Sequence, residues 1–245
     1  MAKLRVPILQ HLSRNWNQDP NWIGRVLVRL VQKPPTFSYE LLFRLARDLL
    51  RLGVAYPDIL RAVQNIKRSD LRARFLEVLP LLRDHFDGIQ PDYFQDIEPR
   101  LYAVGRGLMV PFAPPFIYGV GGQIYFPWLS FWRSNPIADE RLSLFVTIVE
   151  EVLLSDPDLE TAVFQILDFS APAAGKPREL KVVDAKDVPR VSEIRKREML
   201  DIFAEGYFQA QAILAALPPT SDVEGDTEHA ASDPEEEDDD LFGPK

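Results

Sequence analysis

The segment from residue 107 to residue 132 most constrains the fold, because it carries no charged side chain yet is interrupted throughout by helix-breaking residues. These are Pro111, Pro114, Pro115, Pro127, Gly119, Gly121 and Gly122. A membrane helix could not satisfy its backbone hydrogen bonds across so many breaks. The segment therefore predicts short strands and turns, and no membrane span.

The aromatic side chains of this segment allow two interpretations. Tyr118, Tyr125, Trp128 and Trp132 could form a layer of the core, or they could line a ligand pocket. The sequence GVGG is not a phosphate loop, because no helix begins directly after the glycines. The core layer is the prediction, and the pocket remains the alternative.

The first third of the chain predicts helices with leucine-rich faces, and Pro80 should kink or end the last of them. Leu52 is expected on the buried side of one helix. Basic residues recur on the opposite faces: Arg44, Arg47, Arg51, Arg61, Lys67, Arg68, Arg72 and Arg74. They predict either a surface for nucleic acid or an acidic partner, or an ordinary solvated face. The lack of interleaved aromatic residues favours the solvated face.

The region after the aromatic segment predicts a helix from Asp139, two strands joined by the turn APAAGKPR, and a last helix that begins at Ser192. Gly206 and Ala210 are small enough to allow close packing of that last helix. The order helix, strand, strand, helix is a C-terminal α-β-β-α unit of helix-hairpin-helix type. The fold class is therefore α+β and mainly helical.

Three regions follow from this pattern. They are a basic helical region over residues 1–106, an α+β region over 107–217 that packs with the first as one domain, and an acidic tail over 218–245. The tail lacks periodicity and apolar content, which predicts disorder. Near its end, Leu241 and Phe242 follow six consecutive acidic residues, as in a short docking motif.

Charge is distributed very unevenly along the chain. Residues 221–245 hold 11 acidic side chains and one lysine, whereas the first 80 residues hold 14 basic and 6 acidic ones. A tethered acidic tail is present at high effective concentration. The tail is therefore expected to compete for the basic helical face.

The residue types also exclude several kinds of site. The chain has no cysteine, which rules out disulfides, thiolate metal sites and cysteine nucleophiles. His11, His85 and His229 are too scattered to form a local metal cluster. No secretory signal is visible at the N-terminus, so the expected location is cytoplasmic.

One pair of strands carries residues that suggest a reaction. Asp168 ends the first strand, and Asp184 and Lys186 stand in a D-x-K pattern on the second. From Asp139 to Leu214 the sequence resembles the RecB-like branch of the PD-(D/E)xK nuclease superfamily. The resemblance implies that Asp168 and Asp184 bind Mg²⁺, that Lys186 activates water or stabilises charge, and that Glu150 or Glu151 supplies an outer acid.

The strand register decides whether such a site can form. Alternation along the strands predicts that Asp168 and Asp184 point to the same, more apolar face. A turn centred on Lys176 would place Asp168 opposite Asp184. Pairing Phe169 with Glu179 would place Asp168 opposite Leu180 and separate the two acids by roughly 13 Å.

Two functions remain. The favoured one is a non-catalytic interaction or regulatory protein, which needs no cofactor and no metal and binds a protein partner. Nucleic acid is a further ligand that the basic N-terminal helices suggest. The alternative function is a Mg²⁺-dependent nuclease.

Overall fold

A computed structural model describes residues 4–35, 38–154 and 156–217 of the chain. The acidic tail, with Leu241 and Phe242, lies outside the described residues. The helices are α1 (Leu9–Arg14), α2 (Pro20–Gln32), α3 (Glu40–Arg51), α4 (Tyr56–Gln64), α5 (Ser69–Phe86), α6 (Asp139–Val149) and α7 (Glu193–Ala216). The strands are β1 (Tyr93–Gln95), β2 (Arg100–Gly105), β3 (Leu108–Phe112), β4 (Ile117–Val120), β5 (Gln123–Ser130), β6 (Val163–Asp168) and β7 (Lys181–Asp184). The predicted α+β class is confirmed.

A mixed sheet of five strands forms the centre of the fold, in the order β1-β4-β5-β6-β7. Strands β5 and β6 are parallel and α6 connects them, whereas the other neighbours are antiparallel. Strands β2 and β3 form a separate hairpin. The uncharged segment thus supplies β3, β4 and β5, which confirms the prediction of strands and turns.

Aromatic rings pack on both faces of this sheet. On one face, Phe145 of α6 lies 4.6 Å from Trp128 between ring centroids. On the other face, Tyr118 meets Phe86 of α5 edge to face. Tyr118, Trp128 and Trp132 are all buried, so these rings form a layer of the core rather than the wall of an open pocket. Burial also raises the pKa of Tyr118 to about 12.

Helices α2 and α7 run parallel to each other in close contact. The indole Nε1 of Trp16, just before α2, donates to the carbonyl of Met199, and further along Ile23 lies against Gly206. Because the contacts advance in the same direction on both helices, the C-terminal ends of α2 and α7 lie at the same end of the molecule. The predicted start of α7 is confirmed, since the Ser192 hydroxyl accepts from the backbone N–H of Arg195.

Two expectations about the N-terminal helices need correction. The helix α5 does not end at Pro80 but continues to Phe86, because the buried side chains of Leu79 and Leu82 hold both halves of the helix against the core. Leu52 is 64% exposed, because α3 already ends at Arg51.

The predicted boundary at residue 106 falls in the tip of the β2–β3 hairpin. One cluster of buried side chains runs across it, from Leu4 in the N-terminal region to Leu214 in α7. None of the helices in the described part of the chain is long and apolar enough to cross a membrane.

Candidate functional site

The register between β6 and β7 differs from both predicted alternatives. Asp168 lies opposite Lys181, and Gln165 lies opposite Asp184. Partners directly across an antiparallel pair share a face, while neighbours along a strand alternate. Asp184 therefore shares the face of Gln165, which is the face opposite that of Asp168. The prediction of a common face is wrong, because a register change of one residue reverses every side chain.

Asp168 is buried at the carboxyl end of β6. Its carboxylate accepts hydrogen bonds from the backbone N–H and from the hydroxyl of Ser170, each at 3.1 Å. Burial raises the pKa of Asp168, although Ser170, Lys181 and Asn135 favour the charged form. These contacts link the end of β6 to the loop before α6, which is a structural role.

Asp184 and Lys186 form a local turn. The Asp184 carboxylate accepts from the backbone N–H of Lys186 at 3.0 Å and lies 2.9 Å from its Nζ. Burial opposes ionisation of Asp184, but the hydrogen bonds from Lys186 outweigh it and lower the pKa. The D-x-K pattern therefore begins a short 3₁₀ helix over Ala185–Asp187.

Glu150 and Glu151 have other partners. They begin a π-helical turn from Glu150 to Leu154, where Glu150 pairs with Arg190. Within the described ranges, no group of three His, Asp or Glu side chains could hold a metal ion. The structure does not bring Asp168, Asp184, Lys186 and Glu150 together as a metal site.

A second charged cluster lies at this π-helical turn, and sequence reasoning missed it. The buried Lys196 of α7 pairs with Glu151 and with Glu193, and the hydroxyl of Tyr102 donates to Glu151 at 2.8 Å. Burial opposes the charge on Lys196, but its hydrogen bonds to the two glutamates outweigh this and raise its pKa. These contacts fasten β2, α7 and the π-helical turn together, which is a structural role.

Most of the predicted basic face is engaged within the chain. Arg47 and Arg51 pair with Asp96, Arg61 pairs with Asp58, and Arg68 pairs with Asp70. Arg68 lowers the pKa of Asp70 to about 2. Arg72 donates to the carbonyl of Ile66 at 2.7 Å. Arg74 is half-buried, whereas Arg44 and Lys67 are exposed and form no ion pair with another described residue.

Apolar side chains are exposed on the outward face of the β2–β3 hairpin and in the first turn of α7. Cross-strand pairing places Leu101, Ala103, Met109 and Pro111 on the outward face of the hairpin. Leu101 is 64% exposed and Met109 is 41% exposed. Ile194, in the first turn of α7, is 84% exposed.

The hairpin tip and α7 form the walls of an open groove with a volume of about 380 Å³. It is lined by Arg106, Ile194, Arg197, Glu198, Asp201, Ile202 and Glu205. We call the outward face of the hairpin together with this groove the hairpin–α7 surface.

The tip itself holds its arginine in an unusual backbone conformation. Arg106 has a φ of 50°, and the flanking Gly105 and Gly107 also have positive φ values. Glycine tolerates this region and arginine does so only at a cost, so the two glycines allow the sharp turn that presents Arg106. The sequence GRG between two apolar runs was the signal that could have predicted this turn.

Comparison with known proteins adds no relative, since the chain matches no protein-family model, no curated protein and no solved structure.

Proposed function

We propose that this chain works by binding a protein partner through the hairpin–α7 surface, and that it is not a catalyst. One observation carries the proposal: large apolar side chains stand exposed on two neighbouring elements, Leu101 and Met109 on the outward face of the hairpin and Ile194 on α7, where it lines the groove. Contiguous exposed apolar surface is typical of interaction sites, whereas single exposed apolar residues are ordinary.

The charges around the groove define the chemistry of the partner. Arg106 and Arg197 form no ion pair within the described part of the chain, so both guanidinium groups are available to carboxylates of a partner. Glu198, Asp201 and Glu205 lie beside them. The partner therefore presents an apolar segment flanked by charged side chains of both signs. Such a polar rim sets orientation and specificity more than affinity.

Two further points support an interaction role. The predicted metal ligands of the nuclease alternative lie on opposite faces of the sheet, which removes the shared coordination that such an enzyme needs. The basic helices that suggested nucleic acid have most of their arginines in intramolecular contacts, which weakens a phosphate-binding role.

The experiment uses three full-length proteins as baits to capture binding partners from a cell extract of the source organism. They are the wild type, the double variant Leu101→Lys with Met109→Lys, and the control variant Val182→Lys. Val182 is also exposed, but it lies on β7 at the edge of the central sheet. We expect a protein that is retained in stoichiometric amount by the wild type and the control, and is lost from the hairpin variant.

Loss of that protein from both variants, or retention by all three baits, would contradict the proposed surface. A parallel incubation of wild type and Asp184→Ala with DNA and Mg²⁺ tests for catalysis. Metal-dependent cleavage that disappears in Asp184→Ala would overturn the non-catalytic assignment.

A further inference from the structure

The residues of α7 that line the groove form one stripe along the helix. Their spacing from the first of them follows the turns of a helix, so all of them share one side of α7. We call this set the α7 stripe, and it consists of Ile194, Arg197, Glu198, Asp201, Ile202 and Glu205.

The α7 stripe presents charges of both signs that have no partner in their own chain. Within the described ranges, neither Arg197 nor Asp201 forms an ion pair, and both side chains are exposed. Arg197 precedes Asp201 by one helical turn, and a cation placed before an anion is the weaker order for a pair within a helix. A cation and an anion therefore stand side by side, and both are available to a second molecule.

The hairpin tip places a further cation beside this stripe, at a cost in backbone strain. A β-carbon at Gly105 would lie 3.4 Å from the Oδ1 of Asp201, so the tip borders the same charges. Arg106 holds a φ of 50°, which glycine would adopt without strain. Strained residues that are not glycine are common at binding sites.

The partner that this groove requires has the composition of the groove itself. The required partner carries an apolar segment flanked by charges of both signs, and the α7 stripe supplies Ile194 and Ile202 together with Arg197 and Asp201. A surface of this kind is complementary to its own copy, because each contact in a twofold pair is made twice with the roles exchanged.

We propose that the groove binds the α7 stripe of a second copy of this chain, with the two α7 helices antiparallel about a twofold axis. The inference rests on the proposed function, since it names the partner of the hairpin–α7 surface. Shape and charge on one helix face then specify the dimer.

One height of the axis satisfies the apolar and the charged residues together. Ile194 and Ile202 are centred on position 198, and Arg197 and Asp201 are centred on position 199. An axis at this height brings Ile194 of each copy against Ile202 of the other, and Arg197 against Asp201. The two centres differ by about 1.5 Å along the helix, which the side chain of arginine spans easily.

Glu198 lies at the axis, where two copies of a carboxylate meet. Arg195 pairs with Glu198 at 2.9 Å and with Glu140 at 2.6 Å. The arginine therefore brings a compensating positive charge to the axis from each copy, and it is held in place by α6.

Charge reversal tests the pairing by sedimentation analysis of the full chain. The variants Arg197→Asp and Asp201→Arg each place like charges opposite one another twice, so each alone should dimerise at least about tenfold more weakly than the wild type. An equimolar mixture of the two variants should form a heterodimer about as tightly as the wild type, because both contacts again join opposite charges. Both positions are exposed, so neither substitution should disturb folding.

A cysteine cross-link tests the position of the axis. The chain has no cysteine, so a single Glu198→Cys substitution forms a disulfide only between two molecules. Side chains at the axis approach within the Cα separation of about 4.4–6.8 Å that a disulfide needs. Mild oxidation should therefore link Glu198→Cys into dimers and leave the control Val182→Cys, on the exposed edge strand β7, unlinked.

A monomeric wild type, single variants that dimerise as tightly as the wild type, a mixture that stays monomeric, or equal cross-linking of the two cysteine variants would overturn the proposed pairing. The bait comparison separates this outcome from failure of the proposed function. Capture of a different protein, lost only from the hairpin variant, would keep the hairpin–α7 surface although the chain is monomeric. A dimer that is unaffected by Leu101→Lys with Met109→Lys would instead contradict the hairpin part of that surface and keep the α7 pairing.

Discussion

Replacing Gly206 by Ala tests the close crossing of α2 and α7. A β-carbon at Gly206 would stand 2.7 Å from the Cβ of Ile23 and 2.7 Å from the carbonyl oxygen of Pro20. Both atoms belong to α2 at or next to its backbone, so rotation of a side chain cannot relieve the contact. Carbon atoms in good contact lie about 3.5–4.0 Å apart, which means that the helices would have to separate by roughly 1 Å.

Two opposing effects determine how much Gly206→Ala changes the free energy of unfolding. Alanine favours a helix interior over glycine by about 1 kcal/mol, while overpacking of a core costs about 1–3 kcal/mol and more where the backbone must move. We expect the steric crowding to outweigh the gain in helix propensity, because the Cβ of Ile23 and the carbonyl oxygen of Pro20 cannot move aside. The variant should therefore lose about 2 kcal/mol of unfolding free energy. For a chain of this size that corresponds to a decrease in Tm of about 4–8 °C.

Gly24→Ala is the matched control, since Gly24 lies in α2 on the other side of the same crossing. Its added β-carbon would meet nothing closer than the carbonyl oxygen of Gly206, at 3.3 Å. The gain in helix propensity should offset this mild crowding, so we expect a change within about 1 kcal/mol. Urea unfolding with linear extrapolation measures both variants. Equal stability of the two variants, or a Gly206→Ala protein as stable as wild type, would refute the proposed crowding.

Three further predictions concern polar side chains that are buried or half-buried. The Arg178 guanidinium is fully buried and donates to the carbonyls of Phe131, Trp132 and Phe169. The substitution Arg178→Met should therefore lower the free energy of unfolding, measured in urea, by about 3 kcal/mol. A decrease of less than about 1 kcal/mol would contradict this role. Burial raises the pKa of the Asp168 carboxyl. The favourable contribution of this group to folding stability is therefore present below about pH 4, and it is lost as the pH rises through the pKa of the folded state. The stability of wild type relative to Asp168→Asn should therefore fall as the pH rises above about 4, and a constant difference would argue against this contribution. Burial lowers the pKa of His85, so wild type should lose stability relative to His85→Gln as pH falls below about 6.5, whereas parallel pH profiles would exclude this contribution.

Local patterns predicted the elements of this fold well, because the physics behind them is short in range. The prolines and glycines of residues 107–132 predicted strands and turns, and the Ser192 hydroxyl marked the start of α7. Gly206 indicated close packing, and the structure provides its neighbour in Ile23. Pro80 does not end its helix, because burial of the residues on both sides outweighs its local preference.

The placement of the candidate site residues depends on strand register and on ion pairs between distant residues, which a single sequence does not reveal. A register change of one residue between β6 and β7 moved Asp184 to the face opposite Asp168. The sequence allowed the basic helices to be either a binding surface or a solvated face, and it did not show that Asp96, more than forty residues further along the chain, lies beside Arg47 and Arg51. Ion pairing over long sequence separations and strand register are properties of the tertiary structure, so local charge and alternation could not reveal them.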